Sequence, residues 1–183
     1  MSTLAALASA QATPEAQAAL SAVQSSFGLI PNLFRVAANS PAALNALVGL
    51  HGALAKGHLR AKVRESIALA VAQLNGCDYC LSAHAAIGKG VGLSDADIAA
   101  ARAGNANDPH ADAILALTGD IVRQRGAVGA AAVAQARRAG VTDAEIVEIV
   151  AHVALYVFTN YLNLIAGTEI DFPIVRASDP VAV

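Results

Sequence analysis

Residues 61–89 have the sequence AKVRESIALAVAQLNGCDYCLSAHAAIGK, which contains both cysteines of the chain. Apolar side chains recur through residues 61–74 at the three- and four-residue spacing of an amphipathic helix. Asn75 and Gly76 form a break signal, and a second helix is predicted to open at about Cys77. The stretch therefore predicts two consecutive helices, with the thiols at the start of the second.

The remaining sequence predicts more helices. Hydrophobic residues make up 56% of the 183 residues and aromatic residues only 4%. Alanine, the best helix former, dominates, and runs of β-branched or aromatic residues are few. Further helix starts are indicated at Pro14, at Ser40-Pro41, and at the capping boxes that begin with Ser94 and Thr142. We predict an all-α fold and a single domain over residues 1–183, with residues 1–13 frayed.

A second stretch of the chain has a residue pattern similar to that of residues 61–89. When Glu65 is aligned with Glu148 without gaps, the two cysteines fall on Asn160 and Asn163. In both copies the glutamate opens an apolar stretch, and a polar pair follows at the same distance. The pattern fits a duplicated helical hairpin, and it fits chance similarity between two alanine- and valine-rich helices about as well.

The composition excludes several classes of partner. The formal net charge is -2 and the sequence has no cluster of Lys and Arg, so no nucleic-acid partner is expected. Residues 1–12 lack the basic and apolar regions of a secretory signal. The apolar stretch 149–166 contains a histidine and two asparagines, which favours a buried helix over a membrane span. We predict a cytoplasmic protein, in which a close cysteine pair is more often catalytic or metal-binding than a stable disulfide.

The apolar composition also predicts self-association. A small domain leaves much of its surface in contact with solvent, and one core of this size does not easily absorb so many apolar side chains. We expect part of that surface to be buried between the subunits of an obligate homo-oligomer.

Cys77, Cys80 and His84 should share one helix face, because they are three and four residues apart. The free N–H groups and dipole of the helix start favour a thiolate at Cys77. His84, by contrast, can take the proton from Cys80 directly or through a water. We assign Cys80 as the attacking nucleophile, since a specific base affects the ionisation of a thiol more strongly than the helix dipole does. With a peroxide, a sulfenic acid on Cys80 would condense with the resolving Cys77 to a disulfide.

Glu65 is the only acidic residue in the preceding helix. If the two helices fold back as a hairpin, it can approach the Cys80–His84 side and orient His84. The alternative is a solvated glutamate paired with Arg64 or Lys62, and the spacing leaves the two interpretations about even.

Two other interpretations of the cysteines are a pair of small buried hydrophobic residues and a zinc site. Zinc would take Cys77, Cys80 and His84, with a fourth ligand from His51, His58, His152 or Glu65. No second CxxC or HxxxH is present, so we predict no metal and no cofactor. His51, His58 and His110 are predicted to be partly exposed residues without a role, and His152 a buried, hydrogen-bonded one.

The sequence contains a motif that resembles that of the carboxymuconolactone decarboxylase-like superfamily, and more closely that of its alkyl hydroperoxidase D branch and peroxidase-related relatives. The motif consists of Arg64-Glu65, residues 75–80 and His84. Four flanking segments are also similar: Gly28–Asn32, Asn39–Pro41, Asn160–Asn163 and Glu169–Pro173. The likeness covers most of residues 27–175, which are predicted to be the core of the domain.

The resemblance implies an all-helical, oligomerising fold that reduces small organic hydroperoxides with thiols. By position, it implies that Cys80 is the peroxidatic thiol, that Cys77 resolves, and that Glu65 and His84 form a proton relay. It also implies a dithiol electron donor, either a lipoylated or a thioredoxin-like protein.

Tyr79 departs from the pattern of that branch, in which a histidine stands between the cysteines, next to the second. A neutral phenol cannot relay protons as an imidazole can, so a weaker relay or a different substrate is expected. Two alternatives to the peroxidase remain open. One is a carboxymuconolactone decarboxylase-like lyase, which needs no thiols, and the other is a non-enzymatic redox-sensing or zinc-binding module.

Overall fold

The computed structural model describes residues 2–181, which form nine α-helices and a short 3-10 turn at Ser9–Gln11 without any strand. The helices are α1 (Pro14–Phe27), α2 (Asn32–Ala37), α3 (Pro41–Leu54), α4 (Ala61–Asn75), α5 (Asp78–Gly90), α6 (Asp95–Arg102), α7 (Pro109–Arg123), α8 (Ala130–Arg138) and α9 (Asp143–Ala166). The predicted all-α fold is therefore confirmed. Met1 and residues 182–183, which the single-domain prediction includes, lie outside the described residues, and that prediction stays a prediction.

Helix α4 lies at the centre of the fold and packs against α5, α6, α7 and α9. Residues 66–72 of α4 are all buried. A helix that is apolar all round belongs in the interior, and the alanines that alternate with Ile67, Leu69 and Val71 let neighbouring helices approach closely. The middle of the helix that precedes the cysteines is thus enclosed on every side, which fixes the position of the turn after it.

The helix starts match the signals in the sequence. The Ser40 hydroxyl accepts a backbone N–H in the first turn of α3, with proline directly after it. Reciprocal capping boxes join Ser94 with Asp97 at α6 and Thr142 with Glu145 at α9. These short-range signals needed no tertiary contact to be recognised.

The N-terminal segment is not frayed over the described residues, so that prediction is wrong. The Thr3 N–H donates to Ala166 O at 2.7 Å, at the C-terminal end of α9. The Asn39 side-chain amide donates to Ala5 O, also at 2.7 Å. Both partners are distant in the sequence, and local patterning does not reveal them.

Helix α9 is uninterrupted from Asp143 to Ala166. In the alignment of Glu65 with Glu148, the position equivalent to Gly76 is Thr159, which lies inside α9. Only the first copy therefore bends, and the proposed hairpin duplication is not a feature of the fold.

Helix α9 is long and apolar enough to cross a membrane by length and composition, but half of its most apolar 18-residue window is buried within the molecule. Its buried face carries His152, Asn160 and Asn163. Its outer face leaves Val147 and Val150 exposed. One face of the helix thus packs against the core, and the opposite, apolar face is exposed to solvent in the single chain.

Candidate active site

The turn between α4 and α5 places the two thiols. Gly76 ends α4 with a φ of 66°, in the left-handed region that glycine adopts without strain. Cys77 caps the N-terminus of α5, and its N–H donates to Ala72 O at 3.0 Å. The predicted break is confirmed, and Cys80 lies in the first turn of α5. Both cysteines are buried free thiols.

Glu65 reaches His84 across the α4–α5 pair. The Glu65 Oε2 to His84 Nδ1 distance is 2.7 Å, and the two side chains are only 13% and 16% exposed. Burial by itself lowers the pKa of His84, but the charge and hydrogen bond of Glu65 raise it above its usual value. Of the two interpretations of Glu65, the structure supports the one in which Glu65 orients His84, and the shift favours the charged form of the imidazole.

The two thiols have opposite pKa shifts. The Cys77 thiol is the largest cause of the shift at Cys80, and it lowers the pKa of Cys80 to about 6 against the penalty of burial. The positive charge of His84 lowers it further. The neighbouring Cys80 thiol, together with burial, raises the pKa of Cys77. These opposite directions favour a thiolate at Cys80 and not at Cys77, where the dipole argument placed it.

Two asparagines of α9 complete the surroundings of Cys80. The Asn163 amide Nδ2 donates to Cys80 Sγ at 3.2 Å, and the nearby Asn160 also lowers the pKa of Cys80, although its Nδ2 makes no hydrogen bond among the described residues. Asn160 Oδ1 in turn accepts from Asn75 Nδ2 at 2.9 Å. The sequence signal was two amides on a very apolar helix, which need partners when buried, but nothing in the spacing named a thiol as that partner.

A cavity of about 280 Å³ opens over Cys80 and His84. Its walls are mostly apolar and come from five helices and the C-terminal tail, with Phe27, Phe34, Leu155 and Phe172 among them. Among the residues that the structure describes, no aspartate, glutamate, lysine or arginine lines it. Such a cavity favours an uncharged, apolar molecule and holds it against a low-pKa thiol.

His51 and His152 differ from what the sequence predicted. His51 lines the cavity over Cys80, and burial and the charge of His84 lower its pKa. His152 is buried, as predicted, but neither of its ring nitrogens has a hydrogen-bond partner among the described residues. Its ring stacks on Tyr156, whose edge meets the His84 ring at a centroid distance of 5.1 Å. Burial lowers the pKa of His152 to about 4, so it adds no charge near the Glu65–His84 pair at neutral pH.

Tyr79 points away from the proton relay. Its hydroxyl accepts the Leu33 N–H at 3.0 Å, and its ring packs edge-on against Phe172. Burial raises its pKa well above the usual value, and the carboxylate of Asp171 adds to the rise. That carboxylate also accepts the Asn32 N–H at 2.8 Å. Tyr79 therefore ties the CxxC turn to the segment that starts α2 and to the C-terminal tail.

Within residues 2–181, no group of three histidine, cysteine, aspartate or glutamate side chains is arranged to hold a metal ion. The chemistry available at the site is that of a low-pKa thiol, a second thiol beside it, and an imidazole oriented by a carboxylate.

Residues 41–119 match the carboxymuconolactone decarboxylase family. No curated protein sequence matches the chain. Three solved structures share its fold. An uncharacterized peroxidase-related protein from Ralstonia eutropha with an alkylhydroperoxidase AhpD core is 24% identical, with a TM-score of 0.83 over 93% of this chain and 92% of that one. A peroxidase-related protein from Silicibacter is 23% identical, with a TM-score of 0.74 over 92% and 94%.

The third structure is a variant of the debrominase Bmp8 in complex with 2,3,4-tribromopyrrole. It is 19% identical to this chain, with a TM-score of 0.78 over 93% of this chain and 92% of that one. At these identities the likeness to solved structures establishes the fold, which is the alkyl hydroperoxidase D-like fold.

Proposed function

We propose that this chain, whose residues 41–119 match the carboxymuconolactone decarboxylase family and whose fold is alkyl hydroperoxidase D-like, is a thiol-dependent peroxidase that reduces organic hydroperoxides. The matched family is enzymatic, and the arrangement of Cys77, Cys80, His84 and Glu65 supports this activity. The observation that carries the proposal is the placement of Cys80 and His84 together in the wall of an apolar cavity, with Asn163 Nδ2 donating to the Cys80 sulfur and Glu65 holding His84.

In the first step, the Cys80 thiolate attacks the terminal oxygen of the hydroperoxide, and the O–O bond breaks. The alkoxide that leaves takes the proton held by His84, so the products are an alcohol and a sulfenic acid on Cys80. Glu65 keeps His84 protonated and oriented for that transfer.

In the second step, the Cys77 sulfur attacks the Cys80 sulfur of the sulfenic acid. A disulfide forms, and the hydroxyl leaves as water with the Cys77 proton. The cycle then requires two electrons and two protons from an external dithiol. A lipoylated or thioredoxin-like protein is the proposed source.

The test is turnover of an organic hydroperoxide with a dithiol reductant. We expect Cys80→Ser to abolish consumption, and Cys77→Ser to accumulate a sulfenic acid on Cys80 that mass spectrometry detects. Full activity in both variants, or none in the wild type, would rule the peroxidase out. Activity on a lactone that survives loss of both thiols would instead support the lyase. A disulfide that forms without turnover would support a redox sensor.

A second candidate is thiol-dependent dehalogenation of a halogenated aromatic ring. The aromatic side chains around the cavity favour it, since Phe27, Phe34, Tyr156 and Phe172 can enclose a flat, uncharged ring. A structure of the same fold holds 2,3,4-tribromopyrrole. The rate of bromide release from a brominated pyrrole is to be compared with the rate of hydroperoxide reduction by the same protein. Faster bromide release would support the dehalogenase, and no bromide release would exclude it.

A further inference from the structure

The Glu65–His84 pair borders a second space in the protein, which we call the rear chamber. It measures about 190 Å³, and Arg64, Glu65 and His152 line it, whereas Cys80 does not. The cavity described above has the reverse arrangement, since Cys80 lines it and none of these three residues does. His84 lines both spaces. The pair therefore lies between the cavity over Cys80 and a separate space with polar groups in its wall.

His152 has two ring nitrogens that need a partner in this region. The residue is only 2% exposed, and neither Nδ1 nor Nε2 makes a hydrogen bond within residues 2–181. Buried polar atoms are nearly always paired, either with protein or with ordered water. Burial lowers the pKa of His152 to about 4, so at neutral pH its ring offers one N–H donor and one acceptor. One water needs roughly 10–15 Å³ of such space, so the rear chamber has room for several.

Glu65 has one oxygen without a partner, and it lines the same chamber. Its Oε2 lies 2.7 Å from His84 Nδ1, but its Oε1 makes no hydrogen bond among the described residues. The side chain is mostly buried. A carboxylate that leaves bulk water keeps its charge only when its oxygens accept hydrogen bonds. Glu65 Oε1 therefore needs a donor.

Water is the occupant that suits both His152 and Glu65. An anion in the chamber would be repelled by Glu65, and a metal ion would be repelled by Arg64. The Tyr156 hydroxyl donates to Arg64 O at 3.3 Å, so it does not serve Glu65. The titratable and charged residues that line the chamber come from four helices and are His51, Arg64, Glu65, His84, His152 and Tyr156. Within residues 2–181, His84 alone among them hydrogen-bonds to the Glu65 carboxylate.

We propose that the rear chamber holds ordered water that hydrogen-bonds to His152 and donates to Glu65 Oε1, and that this water keeps Glu65 ionised and His84 protonated. The use of a protonated His84 rests on the peroxidase function above, and the water site adds His152 as a positioning residue. A neutral imidazole fixes the place of the water without adding a charge. Burial alone would lower the pKa of His84, and the charge and hydrogen bond of Glu65 raise it, which agrees with an ionised Glu65.

Loss of this water should move the proton within the pair. If Oε1 loses its donor, the ionised carboxylate is destabilised, and Glu65 takes the proton that His84 otherwise holds. The Cys80 thiolate then loses its positively charged neighbour. The pKa of His84 should therefore fall when the water is removed, although no residue that touches His84 has been changed.

The first experiment follows the His84 ring by ¹⁵N NMR across pH in the reduced protein. His152→Phe removes both nitrogens and keeps a ring against Tyr156, whereas His152→Gln keeps a donor and an acceptor. We expect the acid dissociation constant of His84 to rise about tenfold in His152→Phe and about twofold or less in His152→Gln. Equal changes in the two variants, or no change in His152→Phe, overturn the proposal.

The second experiment displaces the water and leaves His152 in place. Ala61 lines the rear chamber at the first residue of α4 and is partly exposed, so Ala61→Leu fills space without disturbing the core. We expect the acid dissociation constant of His84 to rise in Ala61→Leu as it does in His152→Phe. Ala53→Leu makes the same change at an exposed position of α3 outside both spaces and should leave the constant unchanged. An unchanged constant in Ala61→Leu overturns the proposal.

The outcomes distinguish this proposal from the peroxidase, because neither titration uses a hydroperoxide. If the wild type consumes no hydroperoxide but His152→Phe still shifts the titration of His84, the peroxidase fails and the water site stands. If the wild type is active and no variant shifts the titration of His84, the water site fails and the peroxidase stands. In an active protein, hydroperoxide turnover by His152→Phe should decline at a lower pH than in the wild type, and His152→Gln should restore the profile.

Discussion

Cys77 and Cys80 shift each other's pKa in opposite directions, and this difference sets the direction of the chemistry. Cys77 lowers the pKa of Cys80, whereas Cys80 and burial raise the pKa of Cys77. The Asn163 amide also donates to the Cys80 sulfur at 3.2 Å, and a hydrogen bond to a charged acceptor is stronger than one to a neutral group. The division of roles therefore follows from the groups around each sulfur, not from the position of either at the helix start.

The first prediction concerns the effect of the Cys77 thiol on Cys80. Cys77→Ala removes that thiol and should raise the pKa of Cys80 clearly above 6, whereas Cys77→Ser keeps a group that can donate a proton and should raise it less. Asn163→Leu removes a weaker contribution and should have the smaller effect of the two deletions. The pH dependence of Cys80 alkylation by iodoacetamide measures each value. Identical profiles for the alanine and serine variants would contradict this account.

The second prediction separates positioning from proton transfer at Tyr79. Tyr79→Phe leaves the part-buried Leu33 N–H without its acceptor, so we expect a loss of about 1–3 kcal/mol in the free energy of unfolding. Urea denaturation measures the loss. The pH profile of hydroperoxide turnover should keep its shape, since the hydroxyl does not contact the Glu65–His84 pair. A shifted profile at unchanged stability would place Tyr79 in the proton path.

Among single residues, the sequence identified those site residues that lie a few positions apart on one helix. Cys77, Cys80 and His84 lie near the start of one helix, so local periodicity was enough to group them, whereas spacing left open whether Glu65 contacts His84 or solvent. Asn163 and His51 approach the site from α9 and α3, far along the chain. Their roles depend on how those helices pack, which spacing within one element cannot reveal.

Among the contacts between elements, Glu148 joins α9 to the loop before α4 through hydrogen bonds. Its carboxylate accepts the N–H groups of His58 and Leu59 at 2.9 and 3.1 Å. Gly57 has no side chain because a Cβ there would lie 2.5 Å from a carboxylate oxygen of Glu148. Burial alone would raise the pKa of Glu148, but these N–H hydrogen bonds lower it below its ordinary value of 4.5.

The third prediction follows from that shift. A carboxyl whose pKa is lowered on folding contributes stability above its unfolded pKa and loses it as the pH falls through the folded pKa. Glu148→Gln should therefore cost about 1–3 kcal/mol at pH 7, since charged hydrogen bonds are replaced by weaker ones. The difference from the wild type should shrink below pH 4.5, where Glu148 begins to be protonated. Urea denaturation across pH would show a constant difference if the charge were irrelevant.

The elements also show where helix prediction from sequence succeeds and fails. Starts with a Ser or Thr cap were placed correctly because the signal lies within four residues. The prediction of a duplicated hairpin was wrong because the two aligned segments share their apolar content, but only the first contains a helix break. Gly76 bends the first copy, and Thr159 continues the helix in the second.

For the whole molecule, the uncovered apolar side of α9 supports the proposed homo-oligomer. Val147, Val150 and Ala154 are exposed at a spacing of three and four residues, which forms one stripe on the helix. Continuous apolar surface of this kind marks an interface more often than free surface. A second copy of the chain is the proposed occupant, since the apolar composition predicts self-association.

The fourth prediction tests that interface. Val150→Asp puts a charge in the middle of the stripe and should convert the oligomer to monomers, as measured by light scattering at micromolar concentration. Ala131→Asp adds the same charge at an exposed position of α8 and should leave the mass unchanged. A monomeric wild type would contradict the proposed homo-oligomer.

The central claim is that Cys80 is oxidised by a hydroperoxide and Cys77 resolves it, and a single-turnover titration tests it most directly. Fully reduced protein is mixed with cumene hydroperoxide without any external reductant, and both the alcohol and the Cys77–Cys80 disulfide are quantified. We predict one equivalent of alcohol and one disulfide per chain, and none of either for Cys80→Ser. Thiols that stay reduced in the wild type, or alcohol formed by Cys80→Ser, would contradict the account.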